Sequence, residues 1–328
     1  MKENLSVRYD DQPSTVENVG EIVSSNQEMR FLVTQSCNYR CKFCHGEGLQ
    51  SKKHNELVPD DFGFLFAVGK KYFHMSTVTL TGGEPLFRKD IVEISRVIFE
   101  QGGLITLTTN GSLLSHRMDI GKYLNKINLS LHSLDAKSYE GIVRQKKGTL
   151  QKVTDNIILF RSIYPNITIV FNTTIVDGDN SEQKDYEALL EFAEQVRASV
   201  KFIELFPVEA ESFVPLSKIS AQIRQLGFTE ENNSARKTNF SRGAVVASIT
   251  RILCSQAELM DNPGLYCTDN NDLFVSPDGK IKPCREINSE IDMLAAIKDR
   301  DEVNLATMIQ QSFDSLGANC RYNRLKGI

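Results

Sequence analysis

Three cysteines, Cys37, Cys41 and Cys44, fall inside the stretch CNYRCKFC, and the next cysteine is Cys254. As buried hydrophobes they would sit oddly among Asn38, Arg40, Lys42 and Gly46. A zinc ion asks for four ligands, and the one nearby candidate, His45, directly follows Cys44 and is badly placed to share a tetrahedral ion with it. A four-iron cluster fits better, because each iron takes one thiolate and three thiolates leave one iron open. An open iron is a place for chemistry. An electron carrier normally closes that position with a fourth cysteine.

A second stretch with chemical potential is LTGGEPLFRKDI, residues 80–91. Taken bare, Gly82 and Gly83 before Glu84 and Pro85 make a turn, with glycine giving backbone freedom and proline fixing the exit. The same exposed backbone could accept an ammonium group, with Glu84 as an anionic partner. A third stretch, CTDNNDLFVSPDGKIKPC at 267–284, reads as two short strands joined by a Pro-Asp-Gly turn, a hairpin carrying Cys267 and Cys284 at its ends.

The elements that must position these groups follow from periodicity. Short β-branched runs at 30–36, 76–80, 104–108, 127–132, 167–174 and 200–206 alternate with helical stretches near 59–73, 89–101, 115–124, 149–163 and 181–198. That alternation is the mark of parallel βαβ units and predicts a partial (β/α)6 barrel. Side chains alternate along each strand, so Asn128, Ser130 and His132 share the inner face of the fourth, and Thr168, Val170 and Asn172 that of the fifth. In the sixth, Phe202, Glu204 and Phe206 lie together. An interior with such polar groups has room for a polar ligand, and such barrels place their sites at the carboxyl ends of the strands. The polar stretch TEENNSARKTNFSRG, 229–243, reads as a boundary or loop. The division is therefore 1–28 as an N-terminal extension, 29–228 as the barrel and 229–328 as a smaller C-terminal region with the remaining four cysteines.

Cys37, Cys41 and Cys44 after the first strand, followed by GGEP after the second, resemble the motifs of the radical S-adenosylmethionine (SAM) enzymes. TTNG at 108–111, INLSLHSLD at 127–135, FNTTIVDGDN at 171–180 and KFIELFP at 201–207 resemble one subgroup, the molybdenum-cofactor GTP cyclases, from about Met29 to Pro207. The resemblance implies that the three cysteines hold a [4Fe-4S] cluster, that SAM occupies the open iron, and that its reductive cleavage yields a 5′-deoxyadenosyl radical that abstracts hydrogen from a substrate. It implies that Gly82, Gly83 and Glu84 hold the methionyl amino group and that Asn172 also holds the methionine end. Thr108 or Thr109 and Ser130 would contact ribose or carboxylate, and Phe206 and Phe43 would flank adenine, with core packing as their alternative. The hairpin resembles the opening of the auxiliary-cluster domains called Twitch or SPASM, which implies a second [4Fe-4S] cluster on Cys267 and Cys284, with Cys254 and Cys320 as further ligands. It also implies a flavodoxin- or ferredoxin-type reductant. Inward-facing His132 and Glu204 are candidate acid, base or substrate-orienting groups, with a satisfied buried hydrogen bond as the alternative.

The chain departs from the cyclases where they grip a triphosphate. TDNND stands where arginines belong, Thr77 and Thr79 replace basic residues, RLKGI ends the chain, and Arg30 alone matches. Triphosphate recognition needs several cations or backbone donors aimed at one point, so the reading favours another small molecule: a nucleoside, sugar, or cofactor or natural-product precursor. A ribosomally made peptide is the alternative substrate, and an iron-sulfur electron-transfer protein the alternative of another class. In 328 residues, 38 Lys and Arg against 42 Asp and Glu leave a net charge of −4, which gives no electrostatic reason to expect nucleic acid or a membrane as partner. The polar first twenty residues lack the apolar core of a secretory signal, and no apolar run approaches the roughly 20 residues of a membrane span, so a cytoplasmic location is expected. Reduced thiols are the rule there.

Overall fold

The first strand, β1 (Glu28–Thr34), sends Met29, Phe31 and Val33 to one face, where all three are fully buried. The computed structural model to which it belongs describes residues 28–44, 57–205, 214–233, 237–250, 272–285 and 290–315. Helix α1 (Pro59–Phe73) covers that face with Phe62, Leu65, Phe66 and Phe73. Pro59 opens it, Asp61 Oδ2 accepts from the Val58 N–H at 2.9 Å, and His74 closes it in the left-handed conformation. The Phe31 and Phe62 rings meet at 5.2 Å, and burying each such side chain contributes on the order of 2 kcal/mol.

The same unit repeats. Strands β2 (Thr77–Gly82), β3 (Leu104–Thr109), β4 (Lys126–Ser130), β5 (Thr168–Thr174) and β6 (Ala198–Ile203) follow in parallel register. Helices α2 (Ile91–Glu100), α3 (Ala136–Val143), α4 (Thr149–Ile163) and α5 (Gln183–Gln195) lie between them. One register row, Phe31, Leu80, Leu107, Ile127, Ile169 and Ala198, runs across all six strands and is buried throughout. Its neighbours by one residue, Arg30, Thr79, Thr106, Lys126 and Thr168, share the opposite face. Apolar residues thus face the helices and polar ones the interior.

The sheet extends beyond six strands. After α6 (Leu216–Gln225), strands β7 (Thr229–Asn233), β8 (Lys237–Arg242) and β9 (Val245–Thr250) form an antiparallel meander, with β9 parallel to β6. Strand β10 (Asp272–Val275) joins the other edge, parallel to β1, and continues antiparallel into β11 (Lys280–Lys282) and β12 (Ile291–Asp292). The order is β12-β11-β10-β1-β2-β3-β4-β5-β6-β9-β8-β7, an open sheet of twelve strands whose central eight are mutually parallel. Helices α7 (Leu294–Lys298) and α8 (Glu302–Asp314) return to α1, where Lys298 and Arg300 meet buried Asp61 and Phe313 meets Phe73.

Several expectations change. Residues 229–243 are not a loop but largely β7 and β8, because an edge strand pairs through its backbone and needs few apolar side chains. The 115–124 stretch forms two 3-10 turns, Leu114–His116 and Met118–Tyr123, in place of one helix. Helix α3 was not expected; Asp135, which accepts from the Ser138 N–H at 2.8 Å, is its N-cap. In β6, Phe202 packs on Tyr186 of α5 at 5.0 Å, so its face is the helical one and Ser199 and Lys201 face the interior. Glu204 lies just past the strand, where alternation no longer sets the direction of its side chain. The Pro-Asp-Gly hairpin forms as expected, with Val275 opposite Ile281.

Candidate active site

The cysteine loop leaves β1 at its carboxyl end and is pinned from three sides. Within it, the Tyr39 N–H donates to Cys37 Sγ at 3.3 Å and the Cys44 N–H to the Cys41 carbonyl at 3.2 Å. Against α3, the Arg40 and Lys42 N–H groups donate to the Val143 and Ile142 carbonyls at 3.4 and 2.9 Å, satisfying acceptors that a helix end leaves open. Gln145 Nε2 donates to the Asn38 carbonyl at 3.1 Å. Toward β3, Asn38 Nδ2 donates to Ser112 Oγ at 2.9 Å, and Asn110 Nδ2 donates to Asn38 Oδ1 at 2.9 Å.

Cys37 and Cys44 are exposed and Cys41 is half-buried. Burial raises the Cys37 thiol above its ordinary range and pushes Cys41 up to about 12, with the neighbouring thiols adding to both shifts. Thiols close enough to oppose one another's ionisation are a donor set for a metal centre that displaces their protons. Among the described residues no group of three His, Cys, Asp or Glu side chains stands placed to hold a single metal ion; a four-iron cluster asks instead for one thiolate per iron. Three neighbouring thiols, with no fourth beside them among the described residues, fit a cluster with one open iron.

The GGEP turn closes over the start of this loop. Gly82 has φ 126°, and the Gly83 and Glu84 N–H groups donate to the Thr34 and Ser36 carbonyls, each at 2.8 Å. A Cβ on Gly83 would lie 2.3 Å from the Ser36 oxygen, so only glycine allows this approach. Glu84 is buried. Its Oε1 accepts from the Leu86 N–H at 3.0 Å and the Thr109 hydroxyl at 2.6 Å, and its Oε2 from the Asn110 N–H at 2.8 Å. Burial pushes the carboxyl up to about 6, against the pull of those three donors. Its carboxylate ties the β2 and β3 ends together, which leaves the half-buried Gly82–Gly83 backbone as the feature of this turn able to meet an ammonium.

The interior wall separates the other expected residues. Thr109 turns to Glu84, while Thr108 lies on the inner face and accepts from Asn128 Nδ2 at 3.3 Å. One row higher, Ser130, Asn172 and Lys201 are register neighbours on β4, β5 and β6. Asn172 Oδ1 is buried with no hydrogen-bond partner among the described residues, an arrangement that costs about 1–3 kcal/mol unless a ligand donor arrives. His132 is buried beyond β4; the Thr174 N–H donates to its Nδ1 at 3.2 Å, which puts the ring proton on Nε2, and burial lowers its pKa to about 4. The Phe43 ring meets it edge-on at 4.8 Å. Glu204 is buried, and its N–H donates to the Thr250 carbonyl at 3.2 Å.

Phe206, Cys254, Cys267 and Cys320 lie outside the described residues. Cys284 is half-buried two residues past β11. Sequence reasoning missed Asn38, Asn110, Ser112 and Gln145, which hold the cysteine loop in shape. Asn38, inside the cysteine motif, and Asn110, inside TTNG, were in view, but nothing local says that they meet.

Comparison with known proteins places the chain in a family. The family model described as the Radical SAM superfamily matches residues 31–193. A protein of Pyrobaculum aerophilum named "Probable GTP 3′,8-cyclase" is 30% identical over 285 residues, covering 84% of this chain and 89% of that one. The GTP 3′,8-cyclase of Listeria monocytogenes is 28% identical over 309 residues, covering 89% and 88%. Among solved structures, Streptococcus suis SuiB bound to S-adenosylmethionine superposes with a TM-score of 0.61 at 16% identity. That match covers 82% of this chain and 63% of SuiB, so this chain spans less than two thirds of it. The likeness shows a shared fold.

Proposed function

Since this chain belongs to the radical SAM superfamily, and is an enzyme of that class, we propose that Cys37, Cys41 and Cys44 hold the catalytic [4Fe-4S] cluster and that SAM binds across the carboxyl ends of β2 to β5. The observation that carries the SAM site is the unpartnered Asn172 Oδ1, buried one strand from Ser130. When bound, the cluster supplies the electron that splits the SAM sulfonium and so generates a 5′-deoxyadenosyl radical. The protein's part is to bind and orient. Asn172 Oδ1 and the Gly82–Gly83 backbone accept hydrogen bonds from the methionyl end, Ser130 and Thr108 offer hydroxyls to the ribose or carboxylate, and Phe43 and Phe206 flank the adenine. His132, neutral and fixed in one tautomer, holds Phe43 and offers Nε2–H as a donor; Glu204 stands at the substrate end.

We take the substrate to be a small polar molecule: a nucleoside, sugar, or cofactor or natural-product precursor. The named relatives are GTP cyclases, which supports a small molecule over a peptide. Against GTP itself stands the engagement of Arg30, which lies 3.5 Å from Glu28 and 3.9 Å from Asp272, while buried Thr79 donates to Glu28. Lys126 and Lys201 stand on the inner-face rows of β4 and β6. Cys267 and Cys284, with Cys254 and Cys320, are proposed to hold a second cluster in a C-terminal region from 229, after a barrel spanning 29–228 and an extension of 1–28. A flavodoxin- or ferredoxin-type protein is the proposed reductant, and the cytoplasm the proposed location.

The test is anaerobic iron-sulfur reconstitution, reduction with SAM present, and quantitation of 5′-deoxyadenosine. Consumption of GTP at a rate matching 5′-deoxyadenosine release would overturn the substrate class while leaving the enzyme class intact.

A further inference from the structure

Beside the cysteine loop the chain carries a dense run of cations. Arg40 and Lys42 lie between the cluster cysteines, and the α3–α4 connection adds Arg144, Lys146 and Lys147; all five are exposed. The two groups share one surface, because Arg40 and Lys42 donate to the last carbonyls of α3 and Gln145 donates to the Asn38 carbonyl. Arg144 closes α3 in the left-handed conformation with φ 52°.

A bland role covers part of this set. Cations near a helix C-terminus complement its negative end, which accounts for Arg40, Lys42 and Arg144. Lys42 is also paired, with Asp179 at 2.9 Å. Lys146 and Lys147 lie beyond the helix, and among the described residues neither has an ion-pair partner. In a chain of net charge −4 this is a local excess against the bulk sign, and it borders exposed Cys37 and Cys44.

We propose that this surface, with Lys146 and Lys147 at its outer edge, docks a small acidic protein that donates one electron to the cluster. The inference rests on the cluster reading above and names the face through which its electron enters. Complementary charge steers such an encounter and sets its rate more than its final affinity. The donor loses one electron and the cluster gains it, with no bond or proton exchanged.

The test compares cluster-loaded wild type with a Lys146→Glu/Lys147→Glu double variant, both residues being clear of the SAM site, and with the neutral Lys146→Gln/Lys147→Gln variant. Fully reduced flavodoxin is the acidic probe and dithionite the small-molecule reductant. Cluster bleaching is followed by stopped-flow absorbance, and complex formation by fluorescence anisotropy. At low ionic strength the charge reversal is expected to slow flavodoxin-driven bleaching and weaken binding by about tenfold or more, and the neutral pair by less. Wild-type binding is expected to weaken with added salt, and dithionite-driven bleaching to stay within about twofold. Unchanged flavodoxin kinetics, or equal losses with both reductants, would overturn the docking face. Wild type that takes flavodoxin's electron yet forms no 5′-deoxyadenosine would instead sink the enzyme reading and leave the docking face standing.

Discussion

The Thr109 hydroxyl donates to the Glu84 carboxylate across 2.6 Å, tying the end of β3 to the turn that follows β2. Through the next residue, Asn110, the same carboxylate is linked to Asn38 and so to the cysteine loop. A sequence motif and a buried network are here one object.

Removing that carboxylate should unfold the site. Glu84→Ala leaves three donors facing a buried gap, and the expected loss is about 3 kcal/mol or more in unfolding free energy, read by urea denaturation of the apoprotein. Glu84→Gln keeps the shape and separates charge from packing. Because burial raises the folded carboxyl to about 6 from 4.5, its proton stabilises the fold below about pH 4.5, and that contribution, about 2 kcal/mol, is lost as pH rises through 6. The Gln variant should lack this fall.

His132 works in the opposite sense. Its folded pKa is lowered to about 4 from 6.5, so its contribution is present above about pH 6.5 and disappears as pH falls toward 4. His132→Asn should flatten the acid side of the wild-type stability curve. The wild-type pH–rate profile should show no His132 inflection between pH 6 and 8; an inflection there that vanishes in the variant contradicts a neutral buried ring.

Asn172→Ala should weaken SAM binding by about tenfold or more, the worth of a hydrogen bond to a charged group, measured by equilibrium dialysis on cluster-loaded protein. Because Oδ1 is buried with no partner among the described residues, its removal should leave the thermal stability of the ligand-free form unchanged or raise it. A large stability loss with unchanged SAM affinity would mark Asn172 as structural.

Asn38→Ala removes two side-chain hydrogen bonds from the loop. Iron content after reconstitution should fall, and the cluster should bleach faster in air, with far-UV circular dichroism unchanged. Wild-type iron retention would mean that the backbone bonds to α3 suffice.

Much of this was legible in the sequence because the barrel repeats one local rule. Alternation in INLSLH and ITIVFNTT set inner and outer faces, and the β4 and β5 registers agree with it. The network around Asn38 was not legible, since its partners lie 72 to 107 positions away and only topology brings them together. Parity likewise could not choose between Thr108 and Thr109 until the Glu84 contact was known. The polar β7 was hidden by its edge position, where pairing asks little of side chains. Phe202 misled because an aromatic before Glu204 suits either face until Tyr186 is seen against it.

The most direct measurement is 5′-deoxyadenosine formed per cluster when reconstituted protein is reduced anaerobically with SAM. Wild type should release it together with methionine, and single Cys37→Ala, Cys41→Ala and Cys44→Ala variants should release none above background. Undiminished cleavage in any of the three, or none from wild type carrying its full cluster, would contradict an open iron on this loop.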